Sequence, residues 1–115
     1  MSHPKEYLEN ILRFIKECEE EQSRLGSKDF YTERAIFKAI ALDLIQIGEN
    51  VAKINKKTPE LFEKEPKIPW KQIIGLRNIT VHDYDGLDEE EVLETAKTEL
   101  APLKKAVKRL IGEEL

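Results

Sequence analysis

Between Ala35 and Ile54 the chain reads AIFKAIALDLIQIGENVAKI, and apolar side chains fall on nearly every side of a helix wound through it. Such a helix is stable only when neighbours cover it on several sides. The remaining segments must supply that cover, which predicts a helical bundle around one central rod. The first segment has the matching pattern. Tyr7, Leu8, Ile11, Leu12, Ile15 and Cys18 recur at three- and four-residue steps, one stripe of an amphipathic helix. Charged residues fill its other face, and Pro4 suits a first helical position, where its missing N–H has no helical partner. This helix is expected from about Pro4 to about Arg24, stopping near Gly26. The central helix is expected to start at Thr32 as N-cap, with Glu33 favourable in the first turn. Gly48 inside it costs about 1 kcal/mol against alanine. Its presence predicts the close approach of another backbone.

Residues 55–69 carry three of the five prolines and read as a connector, with one helical turn around Leu61 and Phe62. Pro69 opens a third helix, PWKQIIGLRNITVHDY. Asp88 followed by Glu91 has the form of an N-cap with a capping-box acid. A fourth helix is expected from Asp88 to Ile111, stopped by Gly112 and kinked at Pro102, where proline deletes a helical hydrogen bond. Glu89, Glu90 and Glu91 at its start, and Lys104, Lys105, Lys108 and Arg109 near its end, match the helix macrodipole. Contact of that basic cluster with phosphates is the alternative. No alternating strand pattern or internal repeat interrupts the series. The expected fold is all-α, a four- to five-helix up-down bundle, with residues 1–115 forming a single domain.

Charge and cysteine usage narrow the function. Nineteen Lys and Arg against 23 Asp and Glu leave a net charge of −4, which excludes a strongly basic nucleic-acid binder but not a local basic patch. The single cysteine, Cys18, forms neither an intramolecular disulfide nor a thiolate metal cluster, and on its apolar stripe it reads as an inert core residue. One internal histidine, His82, argues against a zinc site, which wants several convergent ligands. No metal and no cofactor are expected. No apolar run approaches the roughly 20 residues that span a bilayer, and the first ten residues lack an apolar signal core. A cytoplasmic protein without membrane contact is expected.

One polar cluster interrupts an otherwise apolar helix: Arg77, Asn78, Thr80, His82, Asp83, Tyr84 and Asp85. At about 100° per residue, a continuous helix would set Asn78 and His82 one turn apart on one face, and Arg77 and Tyr84 two turns apart on another. A histidine near neutral pKa moves protons. An arginine clamps a phosphate with two bonds and stabilises charge developing there. Together, without metal, they suffice for attack of an RNA 2′-hydroxyl on its adjacent phosphate. On spacing alone a plainer account stands beside this one and is favoured. Arg77 pairs with Asp83 or Asp85, and His82 caps the helix end. Trp70 beside Pro69 likewise reads as a packing anchor more readily than as a base-stacking platform.

The ordered set of motifs is more specific than any one of them. GLRNITVHDY has the form R-x4-H-x-Y, with Arg77, His82 and Tyr84; IPW (Ile68, Pro69, Trp70) precedes it, and IQIGENVAKI lies upstream in the central helix. GLD and a helix with E-L-x-P-L follow. This order, from about Ala35 to Leu110, closely resembles the HepT-like toxins of the HEPN superfamily. The resemblance implies a homodimeric helical bundle with a metal-independent endoribonuclease site in the cleft between protomers. It places the motif's arginine on Arg77, its following polar residue on Asn78 and its histidine on His82. It places on Tyr84 the tyrosine that a cognate minimal nucleotidyltransferase antitoxin modifies with AMP, in a type VII-like toxin–antitoxin pair. Asn50 stands where the family usually has alanine, on a helix face away from the motif. The competing function is a non-catalytic nucleotide- or substrate-binding partner of a nucleotidyltransferase.

Overall fold

The computed structural model describes residues 4–26, 29–79 and 89–114. Among the described residues four α-helices follow in order: α1 (Pro4–Ser23), α2 (Phe30–Lys57), α3 (Trp70–Ile74) and α4 (Glu89–Glu114). One 3-10 turn, Pro59–Lys64, precedes α3, and another, Gly75–Asn78, follows it directly. The described residues contain no strand, and the all-α bundle expected from the periodicity is the fold observed.

The cover predicted for the central helix is present. Ile36, Ile40, Leu44, Ile47, Val51 and Ile54 of α2 are buried with Leu8, Ile11, Ile15 and Cys18 of α1 and with Leu100, Leu103, Val107 and Leu110 of α4. Helices α1 and α2 run antiparallel, since Asn10 bonds Asn50 at 3.2 Å while Tyr7 meets Lys57. Asn50 is itself buried, and its amide also donates to the Gln46 carbonyl at 2.8 Å. An apolar helix face thus carries one amide pair whose buried member is hydrogen-bonded through both its oxygen and its nitrogen, as burial of a polar group requires.

Several boundaries differ from the sequence expectation. The N-cap of α2 is Asp29, whose carboxylate accepts from the Thr32 N–H at 3.0 Å and the Thr32 hydroxyl at 2.8 Å. Thr32 is therefore the capped residue and not the cap. Helix α4 passes through Gly112 to Glu114. A single exposed glycine costs about 1 kcal/mol, too little to end a helix without a following breaker. Helix α4 also continues through Pro102. The capping role assigned to Asp88 falls outside the described residues. No helix among the described residues is long and apolar enough to cross a membrane.

The extension of α4 overturns the dipole account of its basic cluster. Dipole effects fall off within the last turn, and that turn holds no basic residue. Two members of the cluster instead make tertiary ion pairs. Lys104 Nζ lies 3.0 Å from Glu19 of α1. Arg109 grips Glu65 with two bonds, Nε to Oε2 at 2.9 Å and Nη2 to Oε1 at 2.6 Å. The Arg109 guanidinium holds the Glu65 carboxyl below the usual carboxylate range.

One carboxylate lies in the core. Asp43 of α2 is only 8% exposed and faces Glu17 and Glu21 of α1. Burial, the hydrogen bond with Glu17 and the two like charges push its carboxyl up to about 7. Burial, with Asp43 nearby, also pushes the Cys18 thiol up to about 12, which keeps it protonated and unreactive. A carboxyl whose folded pKa exceeds its unfolded value stabilises the fold most when protonated. The contribution of Asp43 is therefore full below about pH 4, falls as the pH rises toward 7, and is absent above that. Urea melts across pH 4–8 should show wild type losing stability over this window and Asp43→Asn losing less. At pH 8 the variant should be the more stable protein; equal pH slopes for the two would contradict the assignment.

Candidate functional site

The segment carrying the polar motif is held at two points. At its start, the Trp70 ring stacks on Phe62 with centroids 3.9 Å apart and planes 13° from parallel. The indole N–H donates to the Glu65 carbonyl at 3.0 Å. Trp70 is the packing anchor that the sequence suggested: its apolar body is covered and its one donor is bonded. The second point is Gly48. A β-carbon there would lie 2.8 Å from the Arg77 backbone nitrogen, 2.9 Å from the Ile73 carbonyl oxygen and 3.2 Å from that of Ile74. The backbone of residues 73–77 therefore rests directly on α2. The glycine expected to admit another backbone does so, against the motif segment itself.

This seating fixes what the segment presents. Ile73 is buried and Leu76 half-buried, whereas Arg77 and Asn78 are exposed. Among the described residues neither Arg77 nor Asn78 has a hydrogen-bond or ion-pair partner, so Arg77 is a free cation at the edge of α2. His82 and Tyr84 lie outside the described residues, as do Thr80, Asp83 and Asp85. The structure therefore brings Arg77 and Asn78 together, and it does not describe their placement relative to His82 and Tyr84.

The continuous third helix is not found. Helix α3 gives way at Gly75 to the 3-10 turn, and Ile79 is extended, with φ −62° and ψ 131°. Its N–H closes the turn on the Leu76 carbonyl at 3.1 Å. The arithmetic of about 100° per residue stops applying at that point. The expected one-turn stacking of Asn78 with His82, and the shared face of Arg77 and Tyr84, fall outside the described residues. Tight contact with α2 and the extended Ile79 outweigh the local helical pattern of IIGLRNI.

Two neighbouring surfaces frame the segment. On α2, Leu42 is half exposed, Ala35 is exposed, and Ala39, Ile45 and Ala52 are partly exposed. On a helical wheel Ile45 and Ala52 lie between Leu42 and Gly48, an arc that also carries Lys38, Glu49 and Lys56. On the other side, Gln72, Ile73 and Leu76 face Thr95 and Glu99 of α4 across a cavity of about 150 Å³. Sequence inspection missed these two α4 residues, because only the tertiary structure brings them to the same cavity as the α3 side chains. No group of three or more His, Cys, Asp or Glu among the described residues is placed to hold a metal ion.

Comparison with known proteins covers nearly the whole chain. The family described as "Ribonuclease HepT-like" matches residues 6–110. A protein of Caldanaerobacter subterraneus subsp. tengcongensis named "Putative RNase TTE0752" is 35% identical over 99% of both chains. "Putative RNase MJ1216" of Methanocaldococcus jannaschii is 38% identical over 94% of this chain and 81% of its own. "Probable ribonuclease HepT" of Thermococcus cleftensis is 30% identical over 92% of this chain and 94% of its own. No solved structure matches significantly.

The seating at Gly48 is testable without an activity assay. Gly48→Ala gains about 1 kcal/mol of helix propensity. Its β-carbon, however, meets backbone atoms that cannot rotate away, and overpacking of this kind costs about 1–3 kcal/mol. The variant should lose stability in thermal and urea melts, by about 1 kcal/mol net. A more stable Gly48→Ala protein would show that the contact is loose.

Proposed function

Because the chain belongs to the HepT-like ribonuclease family of the HEPN superfamily, we propose that it is a single-domain endoribonuclease toxin cutting RNA without a metal ion. The cut takes place in a cleft between two copies of the chain. Arg77 carries this reading: an exposed arginine, free of any described carboxylate, whose backbone is fixed on α2.

The chemistry is a transesterification. The RNA 2′-hydroxyl oxygen attacks the adjacent phosphorus and the P–O5′ bond breaks. The products are a 2′,3′-cyclic phosphate and a 5′-hydroxyl. His82 takes the 2′-hydroxyl proton or gives one to the leaving 5′-oxygen. Arg77 binds the non-bridging oxygens and stabilises their charge in the transition state. Asn78 orients His82 or the phosphate. Tyr84 lines the cleft and is the control point. A cognate minimal nucleotidyltransferase, the antitoxin of a type VII-like pair, adds AMP there. The added bulk and negative charge repel the phosphates of incoming RNA.

The apolar stripe of Ala35, Ala39, Leu42 and Ile45 supports the dimer, since an exposed apolar face beside a site is what a second copy covers. A two-fold axis beside α3 brings both copies of Arg77 to one cleft.

Labelled RNA incubated with the purified protein in EDTA should be cut to ends bearing a 2′,3′-cyclic phosphate. Arg77→Ala and His82→Ala should each lower the rate by about 10²-fold or more while leaving the melting temperature unchanged. Unchanged activity in either variant rules out this mechanism. If wild type cuts nothing while mass spectrometry shows Tyr84 unmodified, the non-catalytic binding partner becomes the better reading. Light scattering at micromolar concentration should give about 27 kDa, twice the 13.4 kDa chain, and Leu42→Glu should shift it toward monomer. A monodisperse wild-type monomer would remove the composite cleft.

A further inference from the structure

We propose that the cavity between α3 and α4 is a nucleobase subsite beside the scissile phosphate, and that it selects guanine. The inference rests on the nuclease reading and names the part of the RNA that the site recognises.

Two helical pairs build the cavity. Gln72 and Leu76 lie four residues apart on α3 and its 3-10 extension, and Thr95 and Glu99 lie four apart on α4, so each pair shares a face. Ile73, only 2% exposed, and the half-buried Leu76 supply the apolar floor. Gln72, Thr95 and Glu99 supply the polar wall, and none of the three side chains has a hydrogen-bond or ion-pair partner among the described residues. A slot with an apolar floor and an unpartnered polar edge suits a flat heterocycle. Its volume of about 150 Å³ is small, below the ~300–1,000 Å³ of pockets for drug-sized ligands.

The chemistry of the edge narrows the occupant. Among the described residues the wall has a carboxylate and no cation, which disfavours a phosphate and asks for N–H donors. A carboxylate has two acceptor oxygens. Guanine alone among the four bases presents two adjacent donors on its Watson–Crick edge, N1–H and N2–H₂, with the O6 acceptor beside them. Glu99 accepts both donors, and the Gln72 amide donates to O6. Adenine and cytosine place a ring-nitrogen acceptor beside their amino group, against the second carboxylate oxygen. Uracil offers one N–H flanked by two carbonyls.

Position links the cavity to the reaction. Leu76 in the floor and Arg77 are consecutive residues, with Cα atoms about 3.8 Å apart across a trans peptide. A base seated on Leu76 therefore belongs to a nucleotide next to the phosphate that Arg77 holds.

The test has two arms. Short oligoribonucleotides differing only in the base beside the cut are compared by kcat/KM. Guanine should be preferred by roughly tenfold or more, as expected of one bidentate contact. Glu99→Gln and Gln72→Ala should each narrow that ratio. The second arm titrates guanosine, with uridine as control, and follows backbone amide shifts. Guanosine should move Gln72, Leu76, Thr95 and Glu99 and uridine should not. Equal rates on all four bases, or a preference unchanged in both variants, would overturn the subsite. So would guanosine that leaves these amides unmoved. If wild type cuts nothing but guanosine shifts them, the subsite stands and the nuclease reading falls. Cleavage without base preference and without shifts gives the reverse.

Discussion

The contact at Gly48 decides where the functional segment stands. A helix wanting cover on nearly all sides accepts a backbone on one of them, and only a residue without a β-carbon leaves room for it. The chain of residues 73–77 occupies that room. Ile73 then turns inward, Leu76 faces α4, and Arg77 and Asn78 face solvent. Packing against α2 thus sets the orientation of the motif's first two residues. The Trp70–Phe62 stack fixes the same segment from its other end.

Electrostatics separates this arginine from the others near it. The chain is acidic, and two of its prominent cations are used in tertiary pairs, Lys104 with Glu19 and Arg109 with Glu65. Exposed pairs of this kind contribute about 0–1 kcal/mol each, but they draw positive charge away from the α4 surface. Arg77 has no ion-pair partner among the described residues and stands next to Leu76 of the acidic-edged cavity. Asp43 poses the opposite problem: a carboxyl inside the core, which burial and the nearby Glu17 and Glu21 push up to about 7.

The pattern of the chain made much of this legible. Three-and-four spacing located α1, α2 and α4, because burying a helix face imposes that period. Gly48 announced a close backbone approach, since a mid-helix glycine is costly unless it is used. Motif order identified the family and singled out Arg77 and Asn78 as candidate site residues. The misreadings arose where local signals competed. Asp29 and Thr32 are both good N-caps, and the extra turn beginning at Phe30 decided for Asp29. The segment IIGLRNI has helical spacing, yet the chain tightens to a 3-10 turn and leaves the helix at Ile79.

By itself, then, the sequence determined the helical class, the central rod, the residue types of the motif and the family, because these follow from period, residue chemistry and order along the chain. Tertiary structure decided the rest. It chose the backbone that fills the space at Gly48 and ended the motif's helix at Asn78. It paired Lys104 and Arg109 with distant acids. It also brought Thr95 and Glu99 to Gln72 and Leu76, about twenty residues away along the chain. Those outcomes depend on which surfaces meet, and a one-dimensional pattern specifies the faces to be buried without specifying their partners.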